Sequence, residues 1–372
     1  MAMTIVGTNP DAVIGGVDTH AEVHVAAVVN HVGGVLGVES FPTTRIGYRQ
    51  LVSWLASHGE LSLVGVEGTG SYGVGLSRYL ARAGIAVVEV DRPNRQTRHR
   101  KGKSDPVDAL SAARAALSGT ATGLPKTRDG NVEAIRVLMI ARRSAVDTRI
   151  ETLNQMRHIV FTATPEIRGK FEGLTAISLA NTAAALRPRD GDDPVRYTTL
   201  VTICALGQRI QYLREETKRL NRLLRPLIRQ TAPTLLEVYG VGYDTAAKLL
   251  VAAGDNPERI RSEAAWAHLC GVAPIPASSG KTARHRLNRG GNRQANSALY
   301  RIMLSRLRHD QATRDYVARR LSEGKNHGRD RPHPQALYRQ GDLQAPTPSC
   351  LSSSGRGLAR SNRLTPSRLC NE

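Results

Sequence analysis

The sequence predicts an α/β domain in its first third, a helical or coiled-coil middle section and a mostly α-helical C-terminal domain. Three patterns carry this prediction. Short runs of β-branched residues alternate with helix-like segments over residues 12–125, and an apolar heptad pattern lies within residues 131–230. Residues 233–325 combine a helix, a Gly-Val-Gly turn and further helical segments.

The predicted α/β domain contains five strand-like segments. They are apolar and rich in β-branched residues, and they lie at residues 13–18, 23–30, 32–41, 61–67 and 86–91. Helices are predicted near residues 45–58, within 68–84 and at 106–118. Three consecutive strands followed by alternating helices and strands predict a mixed sheet flanked by helices.

Residues 131–230 are predicted to form long helices. Eight positions spaced by three and four residues make the heptad pattern, and seven of them are apolar: Ile203, Leu206, Ile210, Leu213, Thr217, Leu220, Leu224 and Leu227. This spacing predicts a coiled coil or a tightly packed helical hairpin that acts as a spacer or dimerisation arm. An ordinary core helix would show the same pattern.

The composition narrows the class of partner. Among 372 residues, 52 are Lys or Arg and 32 are Asp or Glu, which gives a formal net charge of +20. Such a charge favours nucleic acid over a membrane surface, because each phosphate that the protein neutralises releases a counterion. The four cysteines form no zinc or disulfide pattern, and neither a signal peptide nor an 18-residue apolar run is found. We therefore expect a cytoplasmic, nucleoid-associated protein with no membrane partner.

Four carboxylates are the candidate catalytic residues. Asp18 ends a strand in GVDTH, Glu67 ends another in VEGTGSYG, and Asp105 and Asp108 begin a helix in KSDPVDA. Acids that follow apolar strands lie at the edge of a sheet, and residues three apart share one helix face. Carboxylates brought together repel one another unless divalent cations neutralise them, and oxygen ligands suit Mg²⁺ or Mn²⁺. A pair of such ions assists phosphodiester cleavage at both the attacking and the leaving oxygen.

Asp105 and Asp108 also have a structural interpretation. Asp105 precedes Pro106, so it could be the N-cap of the helix, and Asp108 would then complete a capping box. Asp18 and Glu67 taken singly are compatible with a structural role as well. The occurrence of all four carboxylates in this order along the chain favours a shared metal centre over four separate structural roles.

The segments GVDTH, VEGTGSYG and KSDPVDA, in this order and at these separations, closely resemble the DEDD-type transposases of the insertion-sequence 110/1111 family. The resemblance runs from about residue 13 to residue 325. It implies a RuvC-like, RNase H-related fold for the first domain, and it implies that the four carboxylates bind the metal and are catalytic. His20 and His24 are expected to be structural or substrate-adjacent rather than metal ligands.

Residues 233–325 carry further nucleic-acid signals. Residues 235–255 have the pattern of a helix-hairpin-helix, in which Gly240 and Gly242 make the turn and the following helix faces a phosphate backbone. A plain helical hairpin is the alternative. Residues 281–308 contain eight Lys or Arg and no acid, which indicates a nucleic-acid-binding face.

A serine in this region is the candidate nucleophile. Ser278 and Ser279 precede Gly280 among cations that would stabilise charge developing on phosphorus, although Ser-Ser-Gly is also a common loop composition. The resemblance implies that Ser279 is catalytic, with Ser278 as the second choice, because the family has a serine in an SG dipeptide before a basic stretch and a GN motif. It also implies nucleic-acid contacts from Lys281, Arg284, Arg286, Arg289, Asn292 and Arg293.

By this resemblance the chain is expected to be a transposase that cuts and rejoins DNA with a Mg²⁺-bound centre and a serine nucleophile. The expected partners are donor and target DNA, a structured bridge RNA and further copies of the chain in a dimer or tetramer. The alternatives are a water-using RuvC-like nuclease or junction resolvase, a site-specific invertase, and an inactive nucleic-acid-binding remnant.

Residues 326–372 depart from the family pattern. Family members continue past Gly324-Lys325 with another helix, whereas this segment contains seven Arg, no Lys, many Pro and Ser and no periodicity. We therefore predict a disordered tail that arose by divergence or by a frameshift.

Overall fold

The structure is a computed structural model. It describes residues 9–90, 104–189, 193–273, 275–277, 285–286, 288, 290–322 and 348–351. The chain groups into two compact units, one formed by Met1–Glu133 with Ala253–Arg261 and the other by Ala134–Ala252 with Ser262–Glu372.

The first unit contains a five-stranded mixed sheet. Its strands are β1 (Ala12–Thr19), β2 (Val23–Asn30), β3 (Val35–Pro42), β4 (Glu60–Glu67) and β5 (Val87–Val90). They lie in the order β3-β2-β1-β4-β5. The first three strands form an antiparallel meander, and β4 and β5 continue the sheet in parallel with β1. The predicted mixed sheet is confirmed, and it is consistent with an RNase H-like fold.

Helices cover both faces of this sheet. They are α1 (Arg45–Ala56), α2 (Val74–Arg82) and α3 (Asp105–Leu117). Leucines of α1 and α2 pack on one face with Val17 and Val66, whereas Ala112, Ala113 and Ala116 of α3 pack on the other face. Because successive residues of a strand point to opposite faces, central strands made almost wholly of apolar residues are buried on both sides.

The segment Ala253–Arg261 completes the first unit. The carboxylate of Asp255 accepts hydrogen bonds from the backbone N–H groups of Val132 (2.7 Å) and Glu133 (3.1 Å). These donors belong to the first turn of helix α4 (Asn131–Thr162), where backbone N–H groups lack partners within the helix. The side chain of Asn256 donates to the carbonyl oxygen of Pro125 at 2.9 Å, which fixes the same segment a second time.

The second unit is helical. It contains most of α4, followed by α5 (Pro165–Gly169), α6 (Ala176–Ala184), α7 (Pro194–Thr231), α8 (Pro233–Glu237), α9 (Tyr243–Ala253), α10 (Glu263–Leu269), α11 (Arg293–His309) and α12 (Gln311–Ser322). The prediction of long helices over residues 131–230 holds for α4 and α7, but two short helices lie between them.

The eight heptad positions lie along α7, and five of them are buried. Ile203, Ile210, Leu213, Leu220 and Leu224 are buried, and the first two join a core formed with α4, α5 and α6. Close approach of α6 to α7 requires Gly207, because a Cβ atom there would lie 2.5 Å from the backbone nitrogen of Ala184. At least the start of the heptad pattern therefore forms intramolecular core.

The C-terminal part contains two elements that the sequence did not predict. Strands β6 (Ile275–Pro276) and β7 (His285–Arg286) pair in antiparallel fashion. Residues Pro348–Leu351 form a 3₁₀ helix in which Leu351 is buried, and the carbonyl oxygen of Cys350 accepts a bond from the Thr234 hydroxyl at 3.3 Å. These four residues lie within the segment that the sequence predicts to be disordered, and the other residues of 326–372 lie outside the described part of the chain. None of the helices in the described ranges has the length and apolar composition needed to cross a membrane.

Candidate metal centre

Asp18 and Glu67 lie at the same edge of the sheet. Val17 of β1 pairs with Val66 of β4 in parallel register, so the next residue on each strand is one of the two acids. Both acids are buried, with 6% and 7% of their surface exposed. The hydroxyl of Thr19 donates to the backbone carbonyl oxygen of Glu67 at 2.8 Å, which ties the ends of these strands together.

Helix α3 brings the other two carboxylates to this edge. A Cβ atom on Gly16 would lie 2.1 Å from the backbone nitrogen of Ala113, so the helix can cross β1 this closely only because position 16 is glycine. Asp105 is the first residue of α3 and is half exposed, whereas Asp108 lies one turn later and is buried.

The capping interpretation of Asp105 is wrong. The N-cap of α3 is Ser104, with extended backbone, and its side chain makes no capping bond. Asp105 is already inside the helix, with Pro106 following it in the first turn. Its carboxylate points instead towards His20, so helix capping does not explain the orientation of this side chain.

Three side chains meet at the end of β1. Nε2 of His20 lies 3.2 Å from Oδ2 of Asp18 and 3.4 Å from Oδ1 of Asp105. One ligand atom from each residue falls within 4.8 Å of the others, which is the spacing of groups that share a metal ion. Sequence reasoning set His20 aside as structural or substrate-adjacent. A usable signal was its position two residues after Asp18, since alternate residues of an extended chain point to the same side.

The electrostatics of this edge favour a cation. Burial raises the pKa of the Asp18 carboxyl above its usual value, and the charges of Asp108 and Asp105 raise it further, whereas His20 opposes the shift. A carboxylate that is costly to ionise alone becomes stable when a cation neutralises the cluster. The carboxylate oxygens of Asp18 and Asp105 and the imidazole nitrogen of His20 are donors of the kinds that bind divalent metal ions.

His24 lies behind the cluster and is fully buried. Its Nδ1 accepts the backbone N–H of His20 at 3.3 Å, and its ring stacks on Tyr48 with centroids 5.7 Å apart. Burial, reinforced by the charge of His20, lowers the pKa of His24 to about 4. The ring is therefore neutral at physiological pH and supports the backbone that carries His20.

Comparison with known proteins places this site in a family. Residues 15–165 match the family described as DEDD_Tnp_IS110: Transposase, and residues 232–318 match the one described as Transposase IS116/IS110/IS902 family. The first match contains all four carboxylates, and together the two matches span more than half of the chain. The chain belongs to the IS110 family of transposases.

Two curated relatives of this IS110-family chain come from Streptomyces coelicolor. An uncharacterized 43.6 kDa protein of insertion element IS110 is 31% identical over 130 residues, which cover 34% of this chain and 32% of the relative. A protein named as a transposase of the IS117 mini-circle is 29% identical over 152 residues, which cover 39% of this chain and 37% of the relative. The chain thus aligns with about a third of the length of each relative.

Between α8 and α9 the chain turns at the position of the predicted hairpin. Gly240 has φ +84°, and the buried side chain of Arg306 holds the turn by donating from Nε to the carbonyl oxygen of Tyr239 at 2.9 Å. The N–H of Gly242 donates to the Thr245 hydroxyl at 3.0 Å, so this donor is used inside the protein. The helix-hairpin-helix assignment stays a prediction.

The remaining predicted residues divide into described and undescribed ones. Asn292 is the N-cap of α11, and its side-chain oxygen accepts from the N–H groups of Gln294 and Ala295, both at 3.0 Å. Arg286 is exposed on β7 and Arg293 is exposed at the start of α11. The other predicted residues lie outside the described part of the chain: Ser278, Ser279, Gly280, Lys281, Arg284 and Arg289.

Proposed function

We propose that this chain cuts and rejoins DNA strands as the transposase of an insertion sequence. The observation that carries the proposal is the cluster of Asp18, His20 and Asp105 at the end of β1, in a chain of the IS110 family. The two relatives are named for the insertion elements IS110 and IS117, which supports the same activity. The net charge of +20 suits a DNA substrate.

We propose Asp18, Glu67, Asp105 and Asp108 as the ligands of a divalent ion, with Mg²⁺ as the natural metal and Mn²⁺ as a substitute. Support comes from the shared sheet edge of the first two acids and from the raised pKa of Asp18 beside Asp105 and Asp108. When bound, such an ion would polarise the scissile phosphate and stabilise the charge on the leaving oxygen.

The chain's own residues orient this site. His20 contacts two of the proposed ligands through one nitrogen, so it limits the rotation of both carboxylates. Thr19 holds the ends of β1 and β4 together, so Asp18 and Glu67 keep their register. Burial of Asp18 excludes competing water from one side of the cluster.

We propose Ser279 as the nucleophile, on the strength of the family resemblance at Ser279-Gly280. Its oxygen would bond to phosphorus while the bond from phosphorus to the leaving strand breaks, giving a phosphoserine link that later strand exchange reverses. Gly240 and Gly242 would let the turn approach the nucleic-acid backbone closely, and the basic residues from Lys281 to Arg293 would contact it. In this scheme residues 12–125 supply the metal centre, 131–230 an arm between subunits, and 233–325 the serine.

The resemblance also suggests how the target is chosen. A bridge RNA that pairs with donor and target DNA would supply sequence recognition, and a dimer or tetramer would hold two DNA ends together. The protein would then work in the cytoplasm on the nucleoid.

A water-using RuvC-like nuclease is the second candidate. It is favoured by one observation, namely that the cluster of Asp18, His20 and Asp105 contains no residue of the serine region. The two functions differ in whether a covalent protein–DNA link forms.

The test is a cleavage reaction with Mg²⁺, labelled donor and target DNA, and RNA transcribed from the flanking element. Denaturing gels would be read for a covalent protein–DNA band. The band is expected with the wild-type chain and lost with Asp18→Ala and with Ser279→Ala. Ser278→Ala is the matched control for the serine, and Asp11→Asn, an exposed acid before β1, is the control for the carboxylate.

Each outcome decides between the candidates. Cleavage without a covalent band, unchanged in Ser279→Ala, would identify the water-using nuclease. A band lost in Ser278→Ala and kept in Ser279→Ala would move the nucleophile by one residue. Absence of cleavage in the presence of DNA binding would contradict the enzymatic proposal.

A further inference from the structure

A cationic cavity lies in the second unit, between α4, α9 and α11. Its volume is about 550 Å³, which is within the range of ligand-binding sites. Five of its lining side chains are cationic and two are acidic: Arg136, Arg142, Arg143, Lys248 and Arg301 face Asp147 and Asp244. The lining therefore carries a surplus of three positive charges. None of its cations belongs to the carboxylate centre or to the predicted phosphate contacts.

Asp244 organises the inner part of this cavity. It accepts from Nη1 of Arg142 at 2.9 Å and from Nζ of Lys248 at 2.7 Å, and Nη1 of Arg301 lies 3.6 Å away. Burial acts to raise the pKa of Asp244, but the bond from Lys248 and the charges of Arg142 and Arg301 outweigh it, so the pKa lies below its usual value. The single negative charge of Asp244 thus lies beside three cationic side chains and can neutralise only one of their charges.

The cations differ in how firmly they are held. Arg142 and Lys248 are largely buried, and Nε of Arg142 also donates to the side chain of Asn221 at 2.7 Å. By contrast, the side chain of Arg301 is 63% exposed, and that of Arg143 is 62% exposed. Arg143 pairs with Asp147 through an exposed contact of 3.4 Å, of a kind that contributes little in water. The cavity therefore has a rigid cationic floor and two accessible arginines at its opening.

Apolar side chains also line the cavity, and together we call them its apolar wall. They are Met139, Ile140 and Val146 of α4 and Ala247 and Val251 of α9. The side chain of Ile140 is exposed, with 58% of its surface in contact with solvent. An apolar wall beside a cationic opening matches a ligand that has both an anionic group and a flat or apolar group.

We propose that this cavity binds one nucleotide unit of a nucleic-acid strand, with its phosphate at Arg301 and Arg143 and its sugar or base on the apolar wall. The proposal rests on the nucleic-acid substrate of the proposed function and adds a contact site on its second unit. A phosphate accepts guanidinium hydrogen bonds in pairs, which suits two arginines above a floor of positive charge. Gln294 and Ser297 of α11, which also line the cavity, supply polar groups next to this position.

The experiment measures binding of labelled twelve-nucleotide single strands, one of DNA and one of RNA, to the full chain at several salt concentrations in EDTA. The variants are Arg301→Ala and Arg143→Ala. Arg209→Ala is the matched control, because Arg209 is an exposed arginine of α7 outside the cavity lining. Chelator removes the metal-dependent reaction, so failure of the proposed function and failure of this site are observed separately.

We expect each cavity variant to weaken binding and to lower the slope of log K against log salt by about one, as loss of one phosphate contact does. Arg209→Ala should leave the slope unchanged, and Arg301→Lys should recover part of the affinity. Equal effects of the cavity variants and of Arg209→Ala would overturn the proposal. Competition by inorganic phosphate at the same phosphate concentration as the strand would also overturn it, in favour of a small-anion site. The DNA and RNA strands tell which nucleic acid occupies the cavity.

Discussion

His20 holds two of the proposed metal ligands through a single nitrogen. Its Nε2 lies within contact distance of the carboxylates of both Asp18 and Asp105. Hydrogen bonds of the backbone do not fix the orientation of these side chains, whereas the contact with His20 does. Groups that orient metal ligands contribute strongly to affinity, because without them the carboxylates must be ordered by the metal itself. The same argument applies if His20 binds the ion directly.

We expect His20→Ala to weaken Mn²⁺ binding by about tenfold or more. Binding would be measured by titrating the full chain with Mn²⁺ and following the electron paramagnetic resonance signal of the free ion. Glu22→Gln is the matched control, since Glu22 is an exposed acid two residues further along the chain. Identical titrations for the His20 variant and the wild type would show that His20 is outside the site.

His24 makes the stability of the first unit sensitive to acid. Its pKa is about 4 in the folded chain and near 6.5 when unfolded, because burial disfavours the charged ring. Between these values the unfolded chain binds the extra proton, so the free energy of unfolding falls as the pH falls from 6.5 towards 4. The full loss amounts to about 3.5 kcal/mol, at about 1.4 kcal/mol per pKa unit.

His24→Phe should flatten this dependence. Phenylalanine preserves the stacking on Tyr48 and cannot titrate, although it loses the bond from the backbone N–H of His20. Urea unfolding of both proteins at pH 7, 6, 5 and 4.5 gives the comparison. Parallel curves for the two proteins over this range would contradict the assignment.

The sequence located the carboxylates but not the contacts around them. Asp18 and Glu67 were found because an acid directly after an apolar strand stands out, and Asp105 and Asp108 because the family motif contains both. Of the contacts around Asp244, only the pair with Lys248, four residues along the same helix α9, could be found from spacing. Arg142 and Arg301 lie on other helices at long sequence separations, so helix packing brings them to Asp244.

At the scale of elements, the contact between α6 and α7 depends on Gly207. A Cβ atom at this position would lie 2.5 Å from a backbone atom of Ala184 and 2.7 Å from the Cβ of Ala183, and neither backbone can give way easily. Alanine favours a helix over glycine by about 1 kcal/mol, which acts in the opposite direction. The steric cost outweighs this helix preference, so alanine at position 207 is expected to lower the stability of the folded chain.

We expect Gly207→Ala to lower the free energy of unfolding by about 1–3 kcal/mol, as other overpacked interiors do. Gly169→Ala, at the end of α5, is the control, since a Cβ atom there meets no atom within 4 Å. That variant should be neutral or stabilising by up to about 1 kcal/mol. Thermal and urea unfolding measure both, and equal stability of the two variants would refute the close approach.

The elements were easier to predict than their ends and pairings. Every strand of the sheet has a period or composition that identifies it, so β2 was predicted at residues 23–30 as found. The heptad pattern of α7 gave the helix but could not tell whether its partner was another chain, because burial against α6 and burial against a second copy leave the same spacing. The strands β6 and β7 are two residues each, too short for any pattern.

At the scale of the whole molecule, the charge of +20 dominates association with nucleic acid. Each phosphate contact releases a counterion, so affinity for duplex DNA should fall steeply as salt rises. We expect a slope of log K against log salt between about −4 and −9, which corresponds to roughly five to ten contacts.

Fluorescence anisotropy with labelled duplex at roughly 50 to 300 mM KCl would measure this slope. In this range the affinity of phosphate-binding proteins depends strongly on salt. Sucrose at matched osmolality is the control and should leave binding unchanged. A slope near zero would mean that the positive charge is not directed at the nucleic acid.

The first unit is completed by residues that the ribosome makes late. Its sheet and flanking helices end by Glu133, but Asp255, which caps the first turn of α4, belongs to Ala253–Arg261. At about ten residues per second, roughly ten further seconds of synthesis separate the two pieces. A nascent chain that folded its sheet as soon as it emerged would therefore lack, for about that time, the segment that completes the first unit.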